Sequence, residues 1–159
     1  MKASILYHSQ TGTTKELAQK IAEGMASEGL EVKAFSIGDL DAQWIKDSCC
    51  VIVVSPTYYA DVSAQVKTFL ETFGKYDVAV KLGGAFATAG FSYGGGDLAL
   101  QTILHHMLFW GMLVYSGGGS QGTPPIHLGP VASGACTDAG PDLFVLYGQR
   151  MARRAKEIF

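Results

Sequence analysis

Four stretches of the chain are apolar without alternation: residues 3–7 (ASILY), 51–54 (VIVV), 84–87 (GAFA) and 112–115 (MLVY). A strand buried on both faces has no polar side to show, so this pattern predicts a parallel sheet covered by helices. Residues 31–36 (EVKAFS) alternate instead, which predicts an edge strand. Helical spacing fills the intervals. Leu17, Ala18, Ile21, Ala22 and Met25 form one stripe, Val66, Phe69, Leu70 and Phe73 a second, and Leu100, Ile103, Leu104 and Met107 a third. A weaker helix is expected over residues 41–47, and a closing helix begins near Pro141 with Leu143, Leu146, Tyr147 and Arg150. Strand and helix alternate to the end of the 159 residues without linker or repeat, which predicts one doubly wound α/β domain over residues 1–159 with right-handed crossovers. Arg150, Arg153, Arg154 and Lys156 gather toward the carboxyl end of the last helix, where the dipole favours cations, and are expected in solvent.

In such sheets ligands gather outside the carboxyl ends of the strands, where strand order reverses. Residues 9–14, 55–62 and 88–97 fall at those ends. A fourth segment, 116–140, carries seven glycines and three prolines after the last predicted strand and is expected to lack regular structure. Its Pro124, Pro125, Ile126 and Leu128 are poorly suited to open solvent, so it is expected to close the site or join a subunit interface. Composition narrows the function. At 48% hydrophobic and 16% charged the chain suits a well-filled core, and a net charge of −2 offers no basic face for nucleic acid. No apolar run approaches the length of a membrane span or signal segment, and no asparagine is present to be glycosylated. Cys49, Cys50 and Cys136 lack metal-ligand spacing and are expected to be reduced thiols, which points to the cytoplasm.

The stretch Ser9-Gln10-Thr11-Gly12-Thr13-Thr14 concentrates hydroxyls between a buried strand and a helix start. Thr13 with Glu16 has the spacing of a capping box, which accounts for one hydroxyl and not for four. The amides of a helix start attract anions, Gly12 permits close backbone approach, and no carboxylate stands in the loop. A phosphate there would be held by neutral donors, with Lys15 the nearest cation. Two other phosphate patterns fail. No GK[ST] follows a strand, and Gly117, Gly119 and Gly122 match G-x-G-x-x-G but run into Thr123-Pro124-Pro125 instead of a helix. His105 and His106 lie within a helix without a metal-binding spacing, His8 and His127 lie near candidate loops, and Asp61 and Ser63 are expected to cap the third helix.

The hydroxyl stretch fits the [ST]-x-T-G-x-T phosphate loop of the flavodoxin-like superfamily. Residues 55–71 (SPTYYADVSAQVKTFLE) resemble the "PT…S.Q.K.FLD" stretch of WrbA-type flavoproteins and NAD(P)H-dependent FMN reductases. Residues 87–103 resemble their threonine-glycine and triple-glycine loop, and 122–134 more weakly their late glycine-rich loop. Two departures stand out: Tyr58-Tyr59-Ala60 replaces the family's Arg-Phe-Gly, and Phe109-Trp110-Gly111 its His-His-Gly, which removes the basis for a histidine-dependent quinone site. The resemblance implies a flavodoxin-like three-layer sandwich with a five-stranded parallel sheet in the order 2-1-3-4-5, helices on both faces, and bound FMN. Cofactor contacts then fall on the hydroxyl stretch, on Pro56, Thr57, Tyr58, Tyr59 and Ala60, and on Thr88, Ala89, Gly90, Phe91, Tyr93, Gly94, Gly95 and Gly96. A flat flavin ring needs aromatic walls, here Tyr58, Tyr59, Phe91 and Tyr93, and backbone donors at its polar edge, but no side-chain acid or base. A net charge of −2 is modest for a carrier steered to basic partners, so the expected function is an NAD(P)H-dependent oxidoreductase passing electrons through FMN to a small acceptor such as a quinone. The alternatives are a flavodoxin-type carrier serving a protein partner and a non-catalytic phosphate-binding module. Resemblance to the WrbA type also implies a homo-oligomer, dimer or tetramer.

Overall fold

Five of the six residues of β1 (Lys2–Tyr7) are buried, as a strand covered on both faces requires. The chain, described over residues 1–134 and 142–159 in a computed structural model, continues through α1 (Thr13–Ser27), β2 (Glu31–Ser36), α2 (Ala42–Asp47) and β3 (Ser48–Tyr58). A short return strand β4 (Asp61–Val62), α3 (Ala64–Glu71), a 3₁₀ turn (Phe73–Tyr76), β5 (Leu82–Ala89) and α4 (Gly96–Phe109) follow. The last elements are β6 (Leu113–Val114), β7 (Val131–Ser133) and α5 (Asp142–Ile158). The parallel sheet runs β2-β1-β3-β5-β6, which is the expected 2-1-3-4-5 order once the antiparallel β4 is set aside. β2 lies at the edge, as its alternation predicted.

The fifth strand position departs from expectation. The apolar run 112–115 supplies only two paired residues, Leu113 and Val114, against Leu82 and Gly83. The chain then loops out and returns as β7, which pairs Val131, Ala132 and Ser133 with Ala87, Thr88 and Ala89 at the other end of β5. The long segment is therefore partly strand. Two of its apolar side chains are covered by its own chain, Ile126 buried beside Tyr147 and Leu128 packed on the opposite core, while Pro125 stays exposed. Residues 135–141, including Cys136 and Pro141, lie outside the described residues.

Two apolar layers sandwich the sheet. α1 and α5 bury Ile21, Met25, Phe144 and Tyr147 on one face, while α3 and α4 bury Val66, Leu70, Ile103 and Met107 on the other. α1 and α5 cross so closely that a Cβ on Gly24 or Gly148 would collide with the backbone of the facing helix. Arg150 corrects an expectation. It is 4% exposed, and its Nη1 donates to the carbonyls of Pro124 at 3.0 Å, Gly118 at 3.4 Å and Gly117 at 3.5 Å. One turn beyond Tyr147, it faces the looped-out segment and pins it, and the carbonyl dipoles replace the water it gives up. Arg153 and Lys156 remain outside, where both reach Glu28. Cys50 is buried and Cys49 half-buried, both free, and desolvation pushes both thiols up. Among the described residues no helix is long and apolar enough to cross a membrane.

Candidate functional site

β1 delivers the chain to residue 8 at the carboxyl edge of the sheet, and α1 must start within five residues. Gly12 makes that turn possible. It holds φ +99° as the N-cap, with its amide donating to Ser9 Oγ at 3.1 Å and its carbonyl accepting from Glu16 at 3.0 Å. The expected capping box does not form, because Thr13 is already inside the helix and no side chain caps it. The amides of the first turn are thus left facing outward beside the hydroxyls of Ser9, Thr11 and Thr13, with no carboxylate in the loop. An anion is the partner this arrangement lacks.

Two further loops stand next to it. Thr14 is buried, and its hydroxyl hydrogen-bonds that of Thr88 at 3.0 Å, which ties the start of α1 to the end of β5. Tyr58 donates to Gln10 Oε1 at 3.2 Å, which ties the same loop to the end of β3. Pro56 pairs with Thr88 across the two strands. Beyond Tyr58 the chain reverses through Tyr59 and Ala60, at φ +53° and +61°, and returns as β4. A two-residue hairpin turn with both centres left-handed normally recruits Asn-Gly, so Tyr-Ala stores strain here. The turn lies against Gly95, itself at φ +85°, where a Cβ would sit 2.6 Å from that of Ala60. Phe91 and Tyr93 stack on each other at 5.6 Å with 12° between their rings, and Tyr58, Tyr59, Phe91 and Tyr93 are all exposed. Beside them Gly90 is open, with nothing among the described residues within 4 Å of where a Cβ would stand, and Gly94 closes the turn by donating to Phe91 O at 2.9 Å. Gly96 opens α4, and Ala89 accepts from Gly134 at 2.9 Å.

The three predicted stretches therefore converge on one edge of the sheet. Of the two residues expected to cap α3, one does so and one takes another role. Ser63 caps α3, accepting from Val66 at 3.3 Å, whereas Asp61 braces the hairpin, accepting from Thr102 Oγ1 at 2.7 Å and from the amide of Val62 at 2.7 Å. Sequence reasoning missed Thr102, which sits mid-helix and meets Asp61 only in the fold. It also missed the segment from Val131 to Gly134 as a neighbour of Ala89, a contact hidden by the shortness of β7. Thr57 Oγ1 and His8 Nε2 are buried without a hydrogen-bond partner among the described residues. His105 and His106 lie on α4, His106 with Nδ1 2.7 Å from Thr102 O, and His127 is exposed.

A family model described as Flavodoxin matches residues 5–106. A flavodoxin from Clostridium saccharobutylicum is 40% identical over 160 residues, covering 100% of both chains. The chain belongs to the flavodoxin family. Its hydroxyl loop, Tyr58–Ala60 turn and triple-glycine loop are the three strand-end loops of a flavodoxin fold. A structure described as a flavodoxin, WrbA-like protein from Agrobacterium tumefaciens superposes with a TM-score of 0.80 at 23% identity, covering 99% of each chain, and shares that fold. An NAD(P)H dehydrogenase (quinone) from Sinorhizobium fredii is 26% identical over 169 residues, covering 89% of this chain and 84% of its own.

Proposed function

We propose that this flavodoxin-family chain binds FMN and carries electrons between protein partners. The uncapped first turn of α1, with the hydroxyls of Ser9, Thr11 and Thr13, would hold the phosphate, and the stretches Pro56 to Ala60 and Thr88 to Gly96 would enclose the ring. The fit rests on unmet needs among the described residues: free amides at the helix start, a buried Thr57 hydroxyl without a partner, open backbone at Gly90, and exposed aromatics that suit a flat ring. FMN, once bound, supplies the redox chemistry; the chain positions it and keeps charged side chains off its faces. The carrier reading rests on one observation in particular. The loops and first helical turns at this end of the sheet carry Glu16, Asp39, Asp41, Asp61 and Asp97 against Lys15 and Lys67, so the rim is acidic although the whole chain is nearly neutral. Steering depends on that local field and not on total charge, which weakens the inference drawn from −2. Full-length identity of 40% to a protein named flavodoxin points the same way.

A second reading, an NAD(P)H-dependent oxidoreductase that passes electrons through FMN to a quinone, is favoured by the 26% identical relative. Anaerobic mixing separates the two. A carrier is not reduced by NADH or NADPH alone, but is reduced when a partner reductase is added, at a rate that falls with salt. Rapid bleaching of the flavin by NADH or NADPH alone, followed by reoxidation with a quinone, establishes the oxidoreductase instead. A purified protein that is colourless and takes up no added FMN defeats both and leaves a phosphate-binding module.

A further inference from the structure

On the β2 side of the hydroxyl loop lies an open cleft of about 760 Å³ that nothing above uses. One wall is the end of β1 at His8 and Ser9 together with the end of β2 from Ser36 to Gly38; the other is α3 and the 3₁₀ turn that follows it. α2 has only six residues and adds none to the lining, so the strand ends face α3 across open space. The volume falls in the range of small-molecule sites. The lining is selective as well as large enough. Ile37 and the tilted ring pair of Phe69 and Tyr76, with 5.8 Å between centroids and both rings largely buried, give it an apolar floor. Lys75 holds its Nζ 5.1 Å from the centre of the Tyr76 ring and makes no ion pair among the described residues. No carboxylate lines the cleft among the described residues, whereas Gln65 and Thr68 offer neutral donors, and the orphaned His8 imidazole belongs to its inner wall.

We propose that this cleft binds a small organic anion with a flat apolar body, of the class of aromatic carboxylates. The apolar body takes the aromatic floor out of water, and the carboxylate meets the one ammonium group that lacks a counter-charge. A cationic ligand would meet Lys75 with no acid to answer it, and a bare inorganic anion would leave the floor wet. The site is separate from the crevice assigned to FMN. The two share Ser9 alone, whose Oγ already accepts the Gly12 amide at 3.1 Å, and neither the Tyr58–Ala60 turn nor the Thr88–Gly96 loop reaches the cleft. Ligand and FMN can therefore be held together, and the proposal stands or falls independently of the carrier reading.

Titration of the protein with 2-naphthoate in the presence of excess FMN tests this, with backbone amide shifts in nuclear magnetic resonance spectra as the readout. Amide shifts do not depend on flavin, so the result is the same test whether or not the chain takes up FMN. The expected shifts saturate with a dissociation constant of about 1 mM or tighter and concentrate in residues 36–38 and 64–76. The uncharged 2-naphthamide, and Lys75→Met with 2-naphthoate, should each bind about threefold to fivefold more weakly, as expected for a charge in contact with solvent. Thr68→Trp fills the cleft from an exposed position and should abolish the saturable shifts while leaving the rest of the spectrum that of the folded protein. Absence of saturable shifts up to about 10 mM overturns the proposal, as does a largest shift at Tyr58–Ala60 or Thr88–Gly96. So does equal affinity for naphthoate and naphthamide, or binding that Lys75→Met or Thr68→Trp leaves intact.

Discussion

Gly24 sets helix propensity against packing, so Gly24→Ala has a decidable sign. In an isolated helix the change would stabilise by about 1 kcal/mol. Here the added methyl would fall against the Val145 backbone, 2.8 Å from its carbonyl carbon and 3.0 Å from its Cα, and nearer still to its oxygen. These atoms belong to α5 and cannot swing aside as a side chain could. The two helices must separate, loosening Ile21, Met25 and Phe144 on one face of the sheet. Overpacking against backbone costs about 3 kcal/mol, and set against the propensity gain it leaves a net loss of about 2 kcal/mol. At this chain length that lowers Tm by about 4–8 °C. Urea unfolding followed by far-ultraviolet circular dichroism reads the loss as a lower midpoint at unchanged slope. Gly38→Ala is the control, because only Ser36 Oγ, 3.9 Å away, lies near the added methyl. A Gly24→Ala protein as stable as wild type, or more so, would refute the account of the α1–α5 crossing.

Arg150→Met keeps the stem but removes the donor to three carbonyls; the expected loss is about 1–3 kcal/mol, with amide exchange over residues 117–124 accelerating more than in the sheet. Ala60→Gly relieves a left-handed alanine and is expected to stabilise by about 0.5–1 kcal/mol in thermal melts, an unusual gain for a truncation. Glu28 is held below the ordinary carboxylate range, first by its hydrogen bond from Arg153 and also by Lys156. Its stabilisation is therefore present above the unfolded-state value and is lost as pH falls through the lower folded one. Wild type should exceed Glu28→Gln by about 0.3–1 kcal/mol at neutral pH, with the difference vanishing on acidification and shrinking in high salt.

How much of this was legible in the sequence depended on whether the deciding contacts were local. The continuous runs of β1 and β3 announced a doubly covered sheet, because burial on both faces leaves its mark residue by residue. The hydroxyl loop was legible for the same reason: its chemistry lies within six consecutive positions. Thr13 was misjudged as part of a capping box because spacing cannot show that Gly12, at φ +99°, starts the helix one residue earlier. Arg150 was misjudged because the carbonyls that receive it lie 26 to 33 residues away in a segment without periodicity. β7 offers only Val131, Ala132 and Ser133, too short a run to separate from a loop. The Tyr59-Ala60 turn was hidden because neither residue is one that left-handed turns recruit, so its strain is visible only in the fold.

The central claim is that the uncapped start of α1 is a phosphate site within an FMN crevice. Titrating flavin-free protein with FMN and with riboflavin, following flavin fluorescence, isolates the phosphate, the only difference between the two ligands. Two charge-assisted hydrogen bonds at about 2 kcal/mol each predict FMN binding at least about a thousandfold tighter than riboflavin. Thr11→Ala together with Thr13→Ala should erase most of that ratio while leaving riboflavin affinity nearly unchanged. Equal affinity for the two flavins in the unsubstituted protein would contradict the account.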